Sequence, residues 1–384
     1  MTTSRNDAHI RKKGGWRMAA AAAAAAAFAF ALLCFPGIAG AGVTQGLSSC
    51  VNTLIPSLFP FMVLSTYMAE SGLAAALGKW AQPVTGFLFR QPGCAAAVVL
   101  MGFVGGYPAG AKTVSRLLEQ GELTREQAGR LLCFCVSAGP PFVLTAVGAC
   151  LLGNPSAGVV LLLSVTLSGL LLGVFTRFRG SAQPPQKAKG TVQTSGSPFV
   201  SSVMGAARSM AAMCALVVGF SVLLQFLEDL GVVRSIARFL ILRGFYPGNG
   251  ISLLPFLAEI TAGCRTGAMA GASLPLFAFA LGWGGVCVHL QVFSLFREFP
   301  VSRWIFRLFR LLHGLLSGAL CWLLLPFFPQ AESASSQWSS QLSAAASAPI
   351  PAVIVLFVLL LVMALDGSRF SLFGRKKSPA GHDA

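Results

Sequence analysis

Few residues of this chain are equipped for chemistry, and those few interrupt apolar sequence. Lys112 closes the run Gly105-Gly106-Tyr107-Pro108-Ala109-Gly110-Ala111, inside the otherwise apolar stretch Cys94–Lys112. Arg265 closes Glu259-Ile260-Thr261-Ala262-Gly263-Cys264, inside Ile251–Thr266. An ionised side chain at the centre of a bilayer costs ~2.5–3.5 kcal/mol on insertion scales, so it needs a partner or a purpose. Lys112 and Arg265 could meet an anionic ligand beside unwound backbone; the competing reading is a boundary cation that snorkels to the surface. Glu259 lies between Leu253–Ala258 and Ile260 and is the most apolar-embedded acid of the chain. It suits proton or sodium coupling, or acceptance of a ligand's donor; otherwise it is a structural partner of Arg265 or Lys112.

A third interruption is Ser137-Ala138-Gly139-Pro140-Pro141-Phe142, whose two prolines remove backbone donors and free carbonyls one turn earlier. Either it is a packing kink or it is an unwound turn that lines a site. Its counterpart later in the chain is Gly282-Trp283-Gly284-Gly285, with His289 beyond it. His289, His313 and Arg208 read first as structural residues. No nucleophile elbow, phosphate loop or HExxH motif occurs, and four histidines give no catalytic constellation, so the chain does not read as an enzyme. The ten cysteines show no metal-ligand spacing and read as small buried hydrophobes. No cofactor is implied, apart from a coupling Na⁺ or H⁺.

The elements that carry these residues must be membrane helices. The chain has 384 residues, 55% hydrophobic and 10% charged, against about 25% charged in soluble domains. Its net charge of +16 sits in short loops and at the ends, which fits membrane topology and excludes nucleic acid as a partner. Apolar runs at Met18–Phe35, Cys50–Ala69, Gly129–Leu152, Gly158–Phe175, Met204–Leu227, Ala268–Leu290, Ile305–Phe328 and Ile350–Leu365 predict about eight crossings. The first run could instead be a signal peptide; an uncleaved span is preferred. Leu73–Phe89 and Val232–Leu242 read as amphipathic helices at the interface. Thr124 with Gln127 predicts a capping box that opens the next helix.

The expected fold is an all-α polytopic membrane protein with inverted-topology repeats and two re-entrant broken hairpins. Residues 1–46 are a tail and first span, 47–176 one repeat, 177–198 a cytoplasmic linker, 199–328 the second repeat, and 329–384 a polar loop, last span and basic tail. Each repeat holds a span, an interfacial helix, a broken hairpin and two spans. Three crossings per half force opposite insertion. The basic groups Arg11–Lys13, Arg177–Lys189, Arg297–Arg310 and Arg375–Lys377 place both termini in the cytoplasm. Arg234, Arg238 and Arg243 then fall outside, on an interfacial helix.

In order and spacing, Gly105–Lys112, Ser137–Phe142 and Leu257–Gly263 resemble the YlbJ-type sporulation integral membrane proteins, part of the nucleoside-recognition "Gate" group. The resemblance runs from about Leu47 to Phe328. It implies a fold related to concentrative nucleoside transporters and a role in moving dipicolinic acid across the outer forespore membrane. The expected binding residues are Gly106, Tyr107, Pro108, Gly110, Lys112, Ser137, Gly139, Pro140, Glu259, Thr261, Gly263 and Arg265. The expected partners are a small organic anion and the lipid bilayer. Two alternatives stay open: a Na⁺- or H⁺-coupled nucleoside-type transporter, and a sporulation scaffold that transports nothing.

Overall fold

The computed structural model of the chain describes residues 22–71, 73–179 and 197–332. The described residues are helical, with no strand among them. Contacts divide the chain into two units. One takes residues 1–36 and 349–384, and its described part is helix α1 (Ala22–Cys34). The other, residues 37–348, holds everything that bears on the site.

The second unit begins as one long helical rod: α2 (Pro36–Ser49), a π-helical stretch (Cys50–Leu54) and α3 (Ile55–Glu70). The amphipathic α4 (Leu73–Phe89) follows. Next come α5 (Ala95–Val104) and α6 (Tyr107–Glu119), parted by Gly105-Gly106 and folded back on each other. Their close packing is visible at Gly110, where an added Cβ would stand 2.7 Å from Gly102 Cα. Helix α7 (Arg125–Phe134) opens on the expected capping box: Thr124 Oγ1 accepts the Gln127 N–H, and the Gln127 side chain accepts the Thr124 N–H. It ends at Phe134, and the segment from Cys135 to Gly139 is not helical. The chain resumes as a π-helical stretch (Pro141–Leu151) and then α8 (Pro155–Thr176), capped by Asn154.

The later half repeats the order. Helix α9 (Pro198–Asp229) is the long rod and α10 (Val232–Leu242) the amphipathic helix. Helices α11 (Pro247–Ala258) and α12 (Ile260–Ala270) form the folded-back pair, joined at Glu259. Helices α13 (Leu274–Trp283) and α14 (Gly285–Ser294) are a broken helix, and α15 (Arg303–Leu324) closes the half. The short α16 (Pro329–Glu332) ends the described chain.

Among the described residues, five helical runs are long and apolar enough to cross a membrane: Pro36–Met68, Pro155–Thr176, Pro198–Asp229, Leu274–Ser294 and Arg303–Phe327. The expected count of eight is not confirmed among the described residues. Gly129–Leu152 is not one span, because the two prolines split it into shorter helices. Helix α1 has the length of a shorter apolar helix. The last expected span, Ile350–Leu365, lies outside the described residues, as do most of the 177–198 linker, the basic ends and the loop beyond Glu332. Helix α2 runs unbroken from Pro36 to Ser49.

Candidate functional site

Both helix breaks and both hairpin tips meet at one place. At the first tip Gly106 holds φ +87°, a conformation that an L side chain rarely adopts. The facing break presses against it: a Cβ on Gly139 would lie 2.9 Å from Gly106 N and 2.9 Å from Val104 O. The second tip sits on the second break in the same way. There Gly285, at φ +78°, faces Ala258 O and Ile260 N, which lie 3.1 and 3.2 Å from where its Cβ would be. Each hairpin therefore rests on the broken helix of its own half.

Two hydrogen bonds extend this frame. The Tyr107 hydroxyl at the first tip donates to Leu281 O in the other half, at 2.5 Å. Trp283 Nε1 donates to Leu257 O at 3.2 Å, tying the second break to its hairpin. Glu259 is extended, with φ −144°, and buried. Its carboxylate accepts the Thr261 N–H at 2.9 Å and the Ala262 N–H at 2.7 Å. It thus caps α12, supplying negative charge where the helix leaves N–H groups without partners. The α6 N-terminus, by contrast, has no side-chain cap, and neither does the start of α14.

Between the tips lies a cavity of about 20 Å³, room for a water-sized occupant. Tyr107, Pro108, Gly139 and Phe142 line it from the first half; Glu259, Ile260, Thr261, Val288 and Gln291 line it from the second. Leu54 and Leu58 close it on one rod, and Met213 and Val217 on the other. A larger chamber of about 470 Å³ adjoins it, sharing Phe142 and Thr261 and bordered by Asn52, Thr53, Ser57, Thr145 and Arg265. A second chamber of about 230 Å³ shares Pro108, Met213 and Gln291, and is bordered by Arg208, Ser209 and Ser294.

Five of the sequence-selected residues, Tyr107, Pro108, Gly139, Glu259 and Thr261, come together on the small cavity. Gly106 and Pro140 shape the tip and the break beside it. Ser137 is buried in the break, and its hydroxyl has no hydrogen-bond partner. Gly110 and Gly263 serve hairpin packing instead; Gly263 lies against Phe256 across the second pair. Lys112 does not line the cavity: its ammonium donates to Gly205 O at 2.7 Å and Ser209 Oγ at 3.0 Å, both on α9. Arg265 stands in the larger chamber, half-buried. Among the described residues, no ion pair joins Glu259 to Lys112 or Arg265. His289 is held by Gly285 O and stacked against Trp283, and His313 by Val165 O, as structural residues would be. Six of the ten free cysteines are buried, whereas Cys34 and Cys150 are exposed.

One residue that the sequence reading assigned to a cytoplasmic segment belongs here. Arg310 is fully buried on α15. Its guanidinium donates to Val136 O in the first break and Gly282 O in the second, and Nε reaches Trp283 O at 3.4 Å. Its cation also stands 5.9 Å from the centre of the Tyr107 ring. A signal was available: Phe306, Arg310, His313, Gly314 and Ser317 share one face at helical spacing, and all are buried. Gln291, a lone amide in an apolar helix, was overlooked as well.

Long apolar helices, two folded-back pairs and two broken helices around a buried site describe an integral membrane protein, and residues 51–182 match the Gate family, described as nucleoside recognition. The match takes in α3, the amphipathic α4, the hairpin, the broken helix and α8 of the first half. The chain is similar to the sporulation integral membrane protein YlbJ of Bacillus subtilis (strain 168), with 28% identity over 308 residues, 73% of this chain and 76% of that one. The resemblance expected from the three motifs is thereby shown. No solved structure matches the chain.

Proposed function

We propose that this protein is a membrane transporter of a small organic anion that acts in sporulation. Dipicolinate, crossing the outer forespore membrane, is the solute that the family resemblance implies. The observation that carries the reading is a small cavity flanked by two larger chambers, with a hairpin tip on either side. A cavity of about 20 Å³ cannot hold a dicarboxylate, since ligand sites run to roughly 300–1,000 Å³. The conformation is therefore an occluded one, and a hairpin must lift for solute to enter. In this reading the two halves insert with opposite orientation, and each chamber faces one side of the membrane. The uncapped start of α6 offers N–H groups and positive partial charge to a carboxylate. Arg265 supplies a full charge in the larger chamber.

A second reading is favoured by one observation: the Glu259 carboxylate is on the cavity wall. There it could carry a proton or bind Na⁺ beside a neutral nucleoside. Saturable dipicolinate uptake into liposomes that hold the purified protein tests the first reading. Nucleoside uptake driven by a Na⁺ or pH gradient would support the second instead. Uptake of neither would leave a scaffold.

A further inference from the structure

The two breaks are unusual in having their freed carbonyls answered by a single side chain. Breaking a helix leaves carbonyls without their N–H partners, and in a membrane interior water is not there to replace them. Val136 O belongs to the first break, and Gly282 O and Trp283 O to the second. Arg310 reaches all three from α15, which belongs to neither broken helix. Guanidinium alone among side chains offers five donors in a planar fork that can serve several acceptors at once. Its burial in an apolar helix would be costly without them.

We infer that Arg310 is a positioning residue that clamps the two broken helices to each other, so that the unwound segments beneath both hairpin tips open and close as one. Both tips rest on these segments, through Gly139 and Gly285. The Tyr107 hydroxyl takes the carbonyl just before Gly282, and its ring lies near the same guanidinium. The clamp thus ties the first tip to the second break as well. Loosening it frees carbonyls in both halves together, although no residue of either hairpin has changed. The inference does not depend on which solute moves.

Native cysteines report on it. Cys135 is buried at the first break beside Val136, and Cys287 is buried three residues beyond Gly284. Cys321, also buried, lies eleven residues along α15 from Arg310, about 16 Å by the helix rise. The full-length protein in membranes is treated with N-ethylmaleimide, and each cysteine is read separately by peptide mass spectrometry. In Arg310→Met, Cys135 and Cys287 should both react at least about tenfold faster than in the unsubstituted protein, with Cys321 still protected. Arg310→Lys keeps the charge but not the fork, and should give intermediate rates at both positions. Faster reaction at only one break would overturn the clamp, and so would protection of both in a folded Arg310→Met protein. Equal exposure of Cys321 would assign Arg310 to the stability of the whole fold and overturn it too.

Discussion

The Tyr107 hydroxyl, at the tip of the first hairpin, donates to the Leu281 carbonyl in the second half across 2.5 Å. One bond thus joins the hairpin tip of one half to the break of the other. Tyr107→Phe keeps the ring that lines the cavity and removes only this bond. A neutral hydrogen bond contributes about 0.5–1.5 kcal/mol net, so the occluded form should lose up to about tenfold in population. Solute affinity should rise by up to a similar factor in equilibrium binding, because the form destabilised is the one that excludes solute, with unchanged expression. Affinity equal to that of the unsubstituted protein would show that the bond does not hold the tip.

Gly139→Ala should be damaging well beyond the size of one methyl group. The new Cβ would stand 2.9 Å from two backbone atoms of the first hairpin, Gly106 N and Val104 O, and neither can swing away. Overpacking of this kind costs about 1–3 kcal/mol. The melting temperature should drop and transport should fall at least tenfold, by roughly 1.4 kcal/mol per decade. Gly219→Ala on α9 is the control, since no atom lies within 4 Å of the added Cβ. It should be neutral or slightly stabilising, by up to about 1 kcal/mol.

Glu259→Gln should impair both folding and transport. The carboxylate accepts two backbone N–H groups at the start of α12, and an amide can accept with only one of its two terminal atoms. Loss of a cap costs about 0.5–2 kcal/mol, which thermal unfolding in detergent would register. Transport should be abolished or lose its ion dependence, because the same group is on the cavity wall. Wild-type stability together with wild-type, equally ion-dependent uptake would remove Glu259 from both roles.

Lys112→Ala should weaken charged and neutral ligands alike. The ammonium is committed to Gly205 O and Ser209 Oγ on α9, so its loss unpins the first hairpin from that rod and removes no contact to the solute. Hydrogen bonds to charged groups contribute about 1.5–3 kcal/mol, and unfolding should show a loss in that range. A selective loss of anion binding at unchanged stability would instead put the ammonium in the binding site.

The parts of this architecture that depend on local chemistry were legible in the sequence. Gly105-Gly106 and Glu259 mark the turns of the two hairpins, and the Thr124–Gln127 capping box marks the start of a helix, because each works within a few residues. The amphipathic helices were read with their observed bounds for the same reason. Hydrophobicity alone misled at Gly129–Leu152, where an apolar run hides a complete break. Arg310 was misplaced because it follows Arg297, Arg303 and Arg307 in a basic segment, and only the fold shows that its face turns inward. The partners of Lys112 lie more than ninety residues away, at Gly205 and Ser209, and no local pattern announces them.

The central claim is that the cavity between the tips is the occluded station of a transport path. Uptake of labelled dipicolinate into liposomes carrying the purified full-length protein tests it most directly, with Gly139→Ala liposomes and a nucleoside panel run alongside. The account expects saturable dipicolinate uptake, reduced at least about tenfold by Gly139→Ala, a variant whose change lies at the tip itself. Uptake of neither dipicolinate nor any nucleoside by well-folded protein, whichever way it is inserted and whatever ion gradient is imposed, would contradict it.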